Sequence, residues 1–366
     1  MSSKVSIIIV ARNEEAKIAA CLEAARRAAA EIGGAEIILA DSASSDATAG
    51  IALEKGAKVL RLKPHWELSA SAGRYIGTHY ATGDFILFID ADTLVYSGFL
   101  PPALAAMKAN EKLAGVCGFL DDANENSEEI LVFEERSEKV TDVKWLRGGC
   151  CFYRRRAVLE AGSFNPYLLA EEEADIGLRL TRAGWQLQRL PVPMAVHTRC
   201  TEELSGKSIF THLSRSLFSG RFGGTTRTVG YAFKNGYGLE FCRLRMPTAV
   251  FFAVWLSLIL LLTVLPTHLL HIAAFYVFFL GFVIILLKKG SFKKTILFFL
   301  AKAMYYINLV AGIAKLRFTP TGNYPLDVDI LEKSSAKPLS QFKDPAGAPL
   351  REPKIAGQTL ELSCES

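Results

Sequence analysis

Residues 85–93, Phe-Ile-Leu-Phe-Ile-Asp-Ala-Asp-Thr, restrict the possible folds of this chain more than any other stretch. Five apolar residues without alternation describe a strand covered on both faces, as in sheets that carry helices on either side. Asp90 and Asp92 close the run, two residues apart, so in an extended chain both carboxylates leave the same face. Such a pair is expensive in a dry core. It suits the mouth of a cleft holding a divalent cation and a phosphate, because Mg²⁺ and Mn²⁺ take oxygen ligands and share them with substrate phosphates. Two solvated acids at a strand end are the plain alternative.

The preceding residues repeat the pattern. Val5–Val10, Glu36–Ala40 and Ala57–Leu62 read as strands, and helical stretches reach from about Lys17 to Ile32, from Thr48 to Lys55 and from Ser69 to Tyr80. Alternating strands and helices predict βαβ units and a mostly parallel sheet sandwiched by helices. Ligands of such sheets bind outside the carboxyl ends of the strands. Polar residues gather there: Asn13 and Glu14 after the first strand, Asp41 after the second, Asp90 and Asp92 after the fourth.

Further on, Leu113–Leu120 reads as a strand, residues 126–139 as a charged helix, and Trp145–Tyr153 as a loop entering a strand, with Gly148 and Gly149 permitting close backbone approach. Glu171, Glu172, Glu173 and Asp175 open a helix running to Ala183. The macrodipole favours acids in a first turn, but three in succession exceed what it asks for. His197 ends this region alone. Residues 205–222 carry the spacing of an interfacial amphipathic helix.

From Met246 to Leu287 there is no Asp, Glu, Lys or Arg, a run of 42 residues. As one helix it would extend about 63 Å, twice the roughly 30 Å hydrocarbon core of a bilayer. The run therefore predicts a transmembrane hairpin, 247–265 and 269–287, turning at Pro266–His268. Arg243 and Arg245 before it, and Lys288, Lys289, Lys293 and Lys294 after it, place both ends on the cytoplasmic side of a plasma or inner membrane. A third apolar segment, 295–313, holds Lys302 near its middle, which favours a helix lying in the interface over a span. Residues 334–366 have the composition of a disordered tail. The domain boundaries expected are thus 1–204, 205–246 and 247–313, with the tail beyond.

The seven cysteines show neither Cys-x-x-Cys spacing nor a disulfide framework and read as reduced thiols. The start carries no signal-peptide pattern, since Lys4 leads straight into a strand. A net charge of +5 without a basic block excludes a nucleic-acid-binding surface. A nucleotidyltransferase would open with a Gly-rich, basic phosphate loop, which Ala11–Glu15 is not.

Taken together, Ile7–Glu15, Asp41–Asp46, Ala72-Gly-Arg74 with Gly77, Asp90-Ala-Asp92, Gly148-Gly149 before Phe152, and Glu172-Glu173-x-Asp175 with Arg179 and Gly184 resemble the family 2 glycosyltransferases over roughly residues 4–200. The resemblance implies the GT-A fold, a nucleotide-diphosphate sugar donor (a UDP-sugar by family habit), a divalent cation and inversion at the anomeric carbon. It places Ala11, Asn13 and Glu14 at the nucleoside, Asp41 at the base, Arg74 at the diphosphate, and Asp90 and Asp92 at the metal and ribose-diphosphate. Glu173, standing where the family usually has aspartate, becomes the general base, Glu172 its rival, and His197 a further metal ligand. Tyr75 replaces a common asparagine, and the Gln-x-x-Arg-Trp motif of processive synthases is absent. The expected activity is a membrane-anchored transfer of sugar to a hydroxyl of a lipid-linked glycan or polysaccharide precursor. A polyprenyl-phosphate glycosyltransferase and a non-catalytic, nucleotide-sugar-binding membrane scaffold are the alternatives.

Overall fold

Four parallel strands form the centre: β1 (Val5–Ala11), β2 (Glu36–Asp41), β3 (Lys58–Arg61) and β4 (Phe85–Asp90), in the spatial order β3-β2-β1-β4. The computed structural model describes residues 4–124, 130–131, 136–199, 221–246 and 318–332, with scattered positions between 272 and 295. Every residue of β1 is buried, as an unalternating apolar run requires. Helices α1 (Ile18–Ala30), α2 (Thr48–Glu54) and α3 (Ala70–Tyr80) make the connections. Helix α3 lies almost on the sheet because two of its residues lack side chains. A Cβ at Gly77 would stand 2.5 Å from Ile8 Cγ2, and one at Gly73 2.7 Å from Val10 Cγ1. These contacts fix the depth at which Arg74, between them, enters the molecule.

Beyond β4 the sheet is mixed, not mostly parallel as expected. β5 (Thr93–Val95), α4 (Leu100–Ala109), β6 (Leu113–Asn124), β7 (Ile130–Leu131), β8 (Thr141–Asp142), β9 (Cys150–Arg154), α5 (Arg155–Glu160), α6 (Glu172–Arg182) and β10 (Gln186–Arg199) follow in sequence. With an edge strand β11 (Asp329–Leu331), the full order is β11-β3-β2-β1-β4-β9-β6-β10-β5, with β7 on β6 and β8 on β10. Strand β9 inserts antiparallel to both β4 and β6. It arrives from a loop, not a helical crossover, and so runs against its neighbours. The charged helix expected over 126–139 is corrected on its described residues. Ile130 and Leu131 pair with β6, and residues 136–140 are not helical.

Two short helices, α7 (Arg221–Lys234) and α8 (Gly238–Arg245), pack on α6 in a small second core with Leu178, Val229 and Phe241. The chain then returns. After a 3-10 turn at Thr321–Asn323, β11 (Asp329–Leu331) pairs antiparallel with β3 at the sheet edge. Tyr324 sits in an aromatic nest with Trp66, Tyr75 and Tyr167 and donates a 2.6 Å hydrogen bond to the Glu67 carbonyl.

The expected hairpin (247–265, 269–287), the amphipathic helix (205–222), the third apolar segment (295–313) and the tail lie wholly or mainly outside the described residues. Among the described residues no helix is long and apolar enough to cross a membrane. Cys21, Cys117, Cys150 and Cys151 are buried free thiols and Cys242 is a partly buried one.

Candidate active site

Arg74 is the hub of the rim. Its guanidinium, almost wholly buried, lies 2.6 Å from Glu172 Oε1, 2.8 Å from Asp90 Oδ1 and 3.3 Å from Glu173 Oε1. Three elements far apart in sequence thus converge: α3 supplies the cation, the end of β4 one carboxylate and the first turn of α6 two more. Burial disfavours the charged guanidinium, but three adjacent acids hold its pKa well above the ordinary arginine value. Burial also disfavours the charged form of Glu173, and the neighbouring Glu172 adds to this. The two together outweigh Arg74 and push its pKa up to about 8.

The turn before α6 is shaped for this arrangement. Glu171 is left-handed, with φ of 64°, an uncommon conformation for a side-chain-bearing residue. Gly148 faces the Glu173 carboxylate so closely that any Cβ there would collide with it. Gly149, at φ 92°, lets the chain turn beside Asp90, whose backbone N–H donates to the Gly149 carbonyl at 2.8 Å.

A cleft of about 320 Å³ opens beside this cluster, lined by Ala11, Arg12, Glu14, Ser42, Ser69, Asp90 and Asp92. Ala11, Glu14, Asp90 and Asp92 thus share one hollow. Asn13 does different work. Its Oδ1 accepts from the Ser45 N–H at 2.8 Å, and its own N–H donates to Ser44 Oγ at 2.9 Å, which ties the loop after β1 to the loop after β2. Asn13 and Ala43 both adopt positive φ, at 57° and 54°. Strained backbone in two facing loops is a common signature of a binding site.

Asp41 is entirely buried at the end of β2, 3.8 Å from Arg61 Nη1, and accepts from the Ser44 N–H at 3.2 Å. Burial pushes its pKa up, against the pull of Ser44 and Arg61. Its Oδ1 has no hydrogen-bond partner among the described residues. Arg74, expected at a diphosphate, lies inside the carboxylate cluster, bonded to Asp90 at the edge of the cleft.

His197 stands on β10 between Asp122 of β6 and Thr93 of β5 in the sheet register. Its Nδ1 lies 3.0 Å from Asp122 Oδ1 and its Nε2 3.0 Å from Asp92 Oδ2. Asp92 is partly buried, which works against ionisation, but His197 and, more weakly, Lys17 hold its pKa below the usual carboxylate range. Among the described residues no three His, Cys, Asp or Glu side chains are gathered as a metal cage. Asp92 and His197 still offer the donor types a hard divalent ion accepts, an ionised carboxylate and an adjacent imidazole, with room for ligand oxygens from a bound molecule. Asp90 already engages Arg74.

Asp122 was not expected from the sequence. The adjacent Asp121 and Asp122 hint at it, but only the pairing of β6 with β10 places Asp122 against His197. The role of Gly148 was visible as a glycine pair and not as a contact with Glu173.

Comparison with known proteins gives matches over part of the chain. Residues 6–162 match the family model described as Glycosyl transferase family 2. The span holds Arg74, Asp90 and Asp92 and ends before Glu172, Glu173 and His197. The 4,4'-diaponeurosporenoate glycosyltransferase of Staphylococcus haemolyticus (strain JCSC1435) is 29% identical over 119 residues, 31% of each chain. The chain therefore spans under a third of the length of this curated relative. Among solved structures, one of GalNAc-T7 with UDP, GalNAc and Mn²⁺ is 19% identical, with a TM-score of 0.48 over 55% of this chain and 44% of that one. S. aureus TarS 1-349 in complex with UDP-GlcNAc is 16% identical, with a TM-score of 0.44 over 66% of this chain and 76% of that one. Residues 6–162, under half of the chain, are thus similar to a glycosyl transferase family 2 domain.

Proposed function

We propose that the chain transfers a sugar, with inversion, from a nucleotide-diphosphate sugar to a hydroxyl of a lipid-linked glycan or polysaccharide precursor. The observation that carries this is the meeting of Asp90, Glu172 and Glu173 on Arg74, beside a cleft lined by Ala11, Glu14 and Asp92.

The nucleoside enters the cleft between the loops after β1 and β2. Asp41 Oδ1 is free to accept an N–H from the base once the Ser42–Ser45 loop admits it. Asp92, ionised, and His197 would hold a divalent cation. When bound, that cation neutralises charge on the departing diphosphate. Glu173 takes the proton of the attacking hydroxyl. The raised pKa of Glu173 makes it a stronger base once ionised, at the expense of being protonated below about pH 8. Arg74 stays in place through the reaction. It orients Glu172 and Glu173 and keeps the repulsion of three acids from opening the rim.

We place this domain on the cytoplasmic side of a plasma or inner membrane, anchored by the uncharged run 246–287. Release of nucleoside diphosphate from a panel of nucleotide sugars, with and without Mn²⁺, tests the proposal. Turnover in the parent and its loss in Glu173→Gln are expected. A parent that turns over no donor, or a Glu173→Gln variant as active as the parent, would overturn it.

A further inference from the structure

A second cavity, about 460 Å³, has Glu173 in its wall and is lined in part by Lys144, Trp145, Arg147, Glu171, Arg189 and Arg245. Four of its side chains are cationic. Two, Glu171 and Glu173, are acids. Glu171 is engaged by Arg245, whose Nε lies 2.5 Å from its Oε2. The guanidinium of Arg245 also lies over the Trp145 ring, 5.0 Å from its centroid.

The basic groups stand on rigid supports. Arg189 belongs to β10 and is paired in register with Cys117 of β6 and Thr141 of β8. Lys144 and Trp145 are pressed against α6, where a Cβ at Gly177 would come within 2.5 Å of the Lys144 carbonyl. Helix α6 also carries Glu173, so the cationic wall and the carboxylate keep a constant separation. Arg147 immediately precedes Gly148, which touches that carboxylate.

We infer that this cavity takes the acceptor by a phosphate group, held by Lys144, Arg147 and Arg189, while the acceptor hydroxyl faces Glu173. The inference rests on the transferase reading given above. Arginine forks match phosphate oxygens in pairs, and an excess of cations suits a multiply charged group better than a neutral sugar. Arg245, at the lip, is followed directly by the 42-residue run without Asp, Glu, Lys or Arg. That position suits a phosphate carried at the surface of a lipid layer. A phosphate on a soluble sugar offers the same chemistry.

Calorimetric titration of the full chain in detergent tests this, with the donor cleft filled by saturating UDP and Mn²⁺. Inorganic pyrophosphate, farnesyl diphosphate and farnesol are the probes. Both phosphorylated probes are expected to bind and farnesol to fail. A Lys144→Gln, Arg189→Gln double variant should weaken phosphate binding about tenfold or more and leave UDP binding unchanged. Tighter binding of farnesyl diphosphate than of pyrophosphate assigns the phosphate to a lipid carrier, and equal binding assigns it to a soluble acceptor. Pyrophosphate binding that persists in the double variant, or that fails in the parent, overturns the inference. Donor hydrolysis by the same preparations separates the two failures. If hydrolysis continues, the transferase reading stands and only the phosphate pocket falls.

Discussion

Gly148 and Glu173 occupy one place between them: a Cβ at residue 148 would lie 2.5 Å from Glu173 Oε1. The carboxylate can stand where it does only because residue 148 has no side chain. Gly148→Ala should move the Glu173 carboxylate and lower kcat about 100-fold, the penalty typical of a displacement near 1 Å. The melting temperature should fall only modestly, since what must shift is the far end of one side chain. Donor turnover and a thermal melt on the same sample check this, and unchanged turnover would refute the positioning role.

Removing Arg74 attacks the cluster from its other side. Arg74→Met leaves Asp90, Glu172 and Glu173 without their shared cation around a buried apolar group. Breaking a buried ion network in this way typically costs about 3–5 kcal/mol. Denaturant unfolding should show that loss. Lowering the pH should recover part of it, because protonating the acids removes their uncompensated charge.

The Glu173 carboxyl gives two opposite pH dependences. In the proposed role of base it must be ionised, so the rate should climb as pH rises through about 8. For stability the sign reverses. Its folded-state pKa lies above the ordinary glutamate value of 4.5, so the folded state holds a proton that the unfolded chain has released. That contribution is fully present below about pH 4.5 and is lost as pH rises through about 8. Unfolding midpoints at pH 6 and pH 9 should differ less in Glu173→Gln than in the parent.

The divalent ion assigned to Asp92 and His197 gives a further test. Chelation should abolish donor turnover, and Mn²⁺ should restore it. Asp122 Oδ1 lies 3.0 Å from His197 Nδ1, on the side of the ring away from Asp92. Asp122→Asn should therefore raise the Mn²⁺ concentration for half-maximal activity by about 10–100-fold, the usual effect of disturbing a ligand's outer partner.

Tyr324 holds the returning segment to the domain. It is 3% exposed and touches Trp66, Tyr75 and Tyr167 edge-on. Tyr324→Ala should destabilise the domain by about 3–5 kcal/mol, as large aromatic truncations do. It should also weaken donor binding, because Trp66 and Glu67 lead directly into Leu68, Ser69 and Ala70 at the cleft edge. A melting temperature equal to the parent's would contradict the anchoring role.

The sequence made the first ninety residues legible because the strands there are largely apolar, and three of the four, β1, β2 and β4, end at or near an acid. Its signal weakened where strands are held by neighbours and not by their own pattern. β10 is 14 residues long but carries Pro191 and Pro193 and shifts register there. β11 is only Asp-Ile-Leu, too short for any periodicity. The acids of the site were readable as strand-end and helix-start residues. The position of Arg74 was not, because a lone arginine on a helix gives no sign of burial. Only the approach of α3 to β1 through Gly73 and Gly77 puts it there.

The pairing of β11 with β3 reaches beyond the domain itself. The chain departs from this body after residue 246 and is seated on it again by residue 318. A loop whose two ends are fixed to one body must traverse any bilayer it enters an even number of times. Two passes satisfy that parity and three violate it.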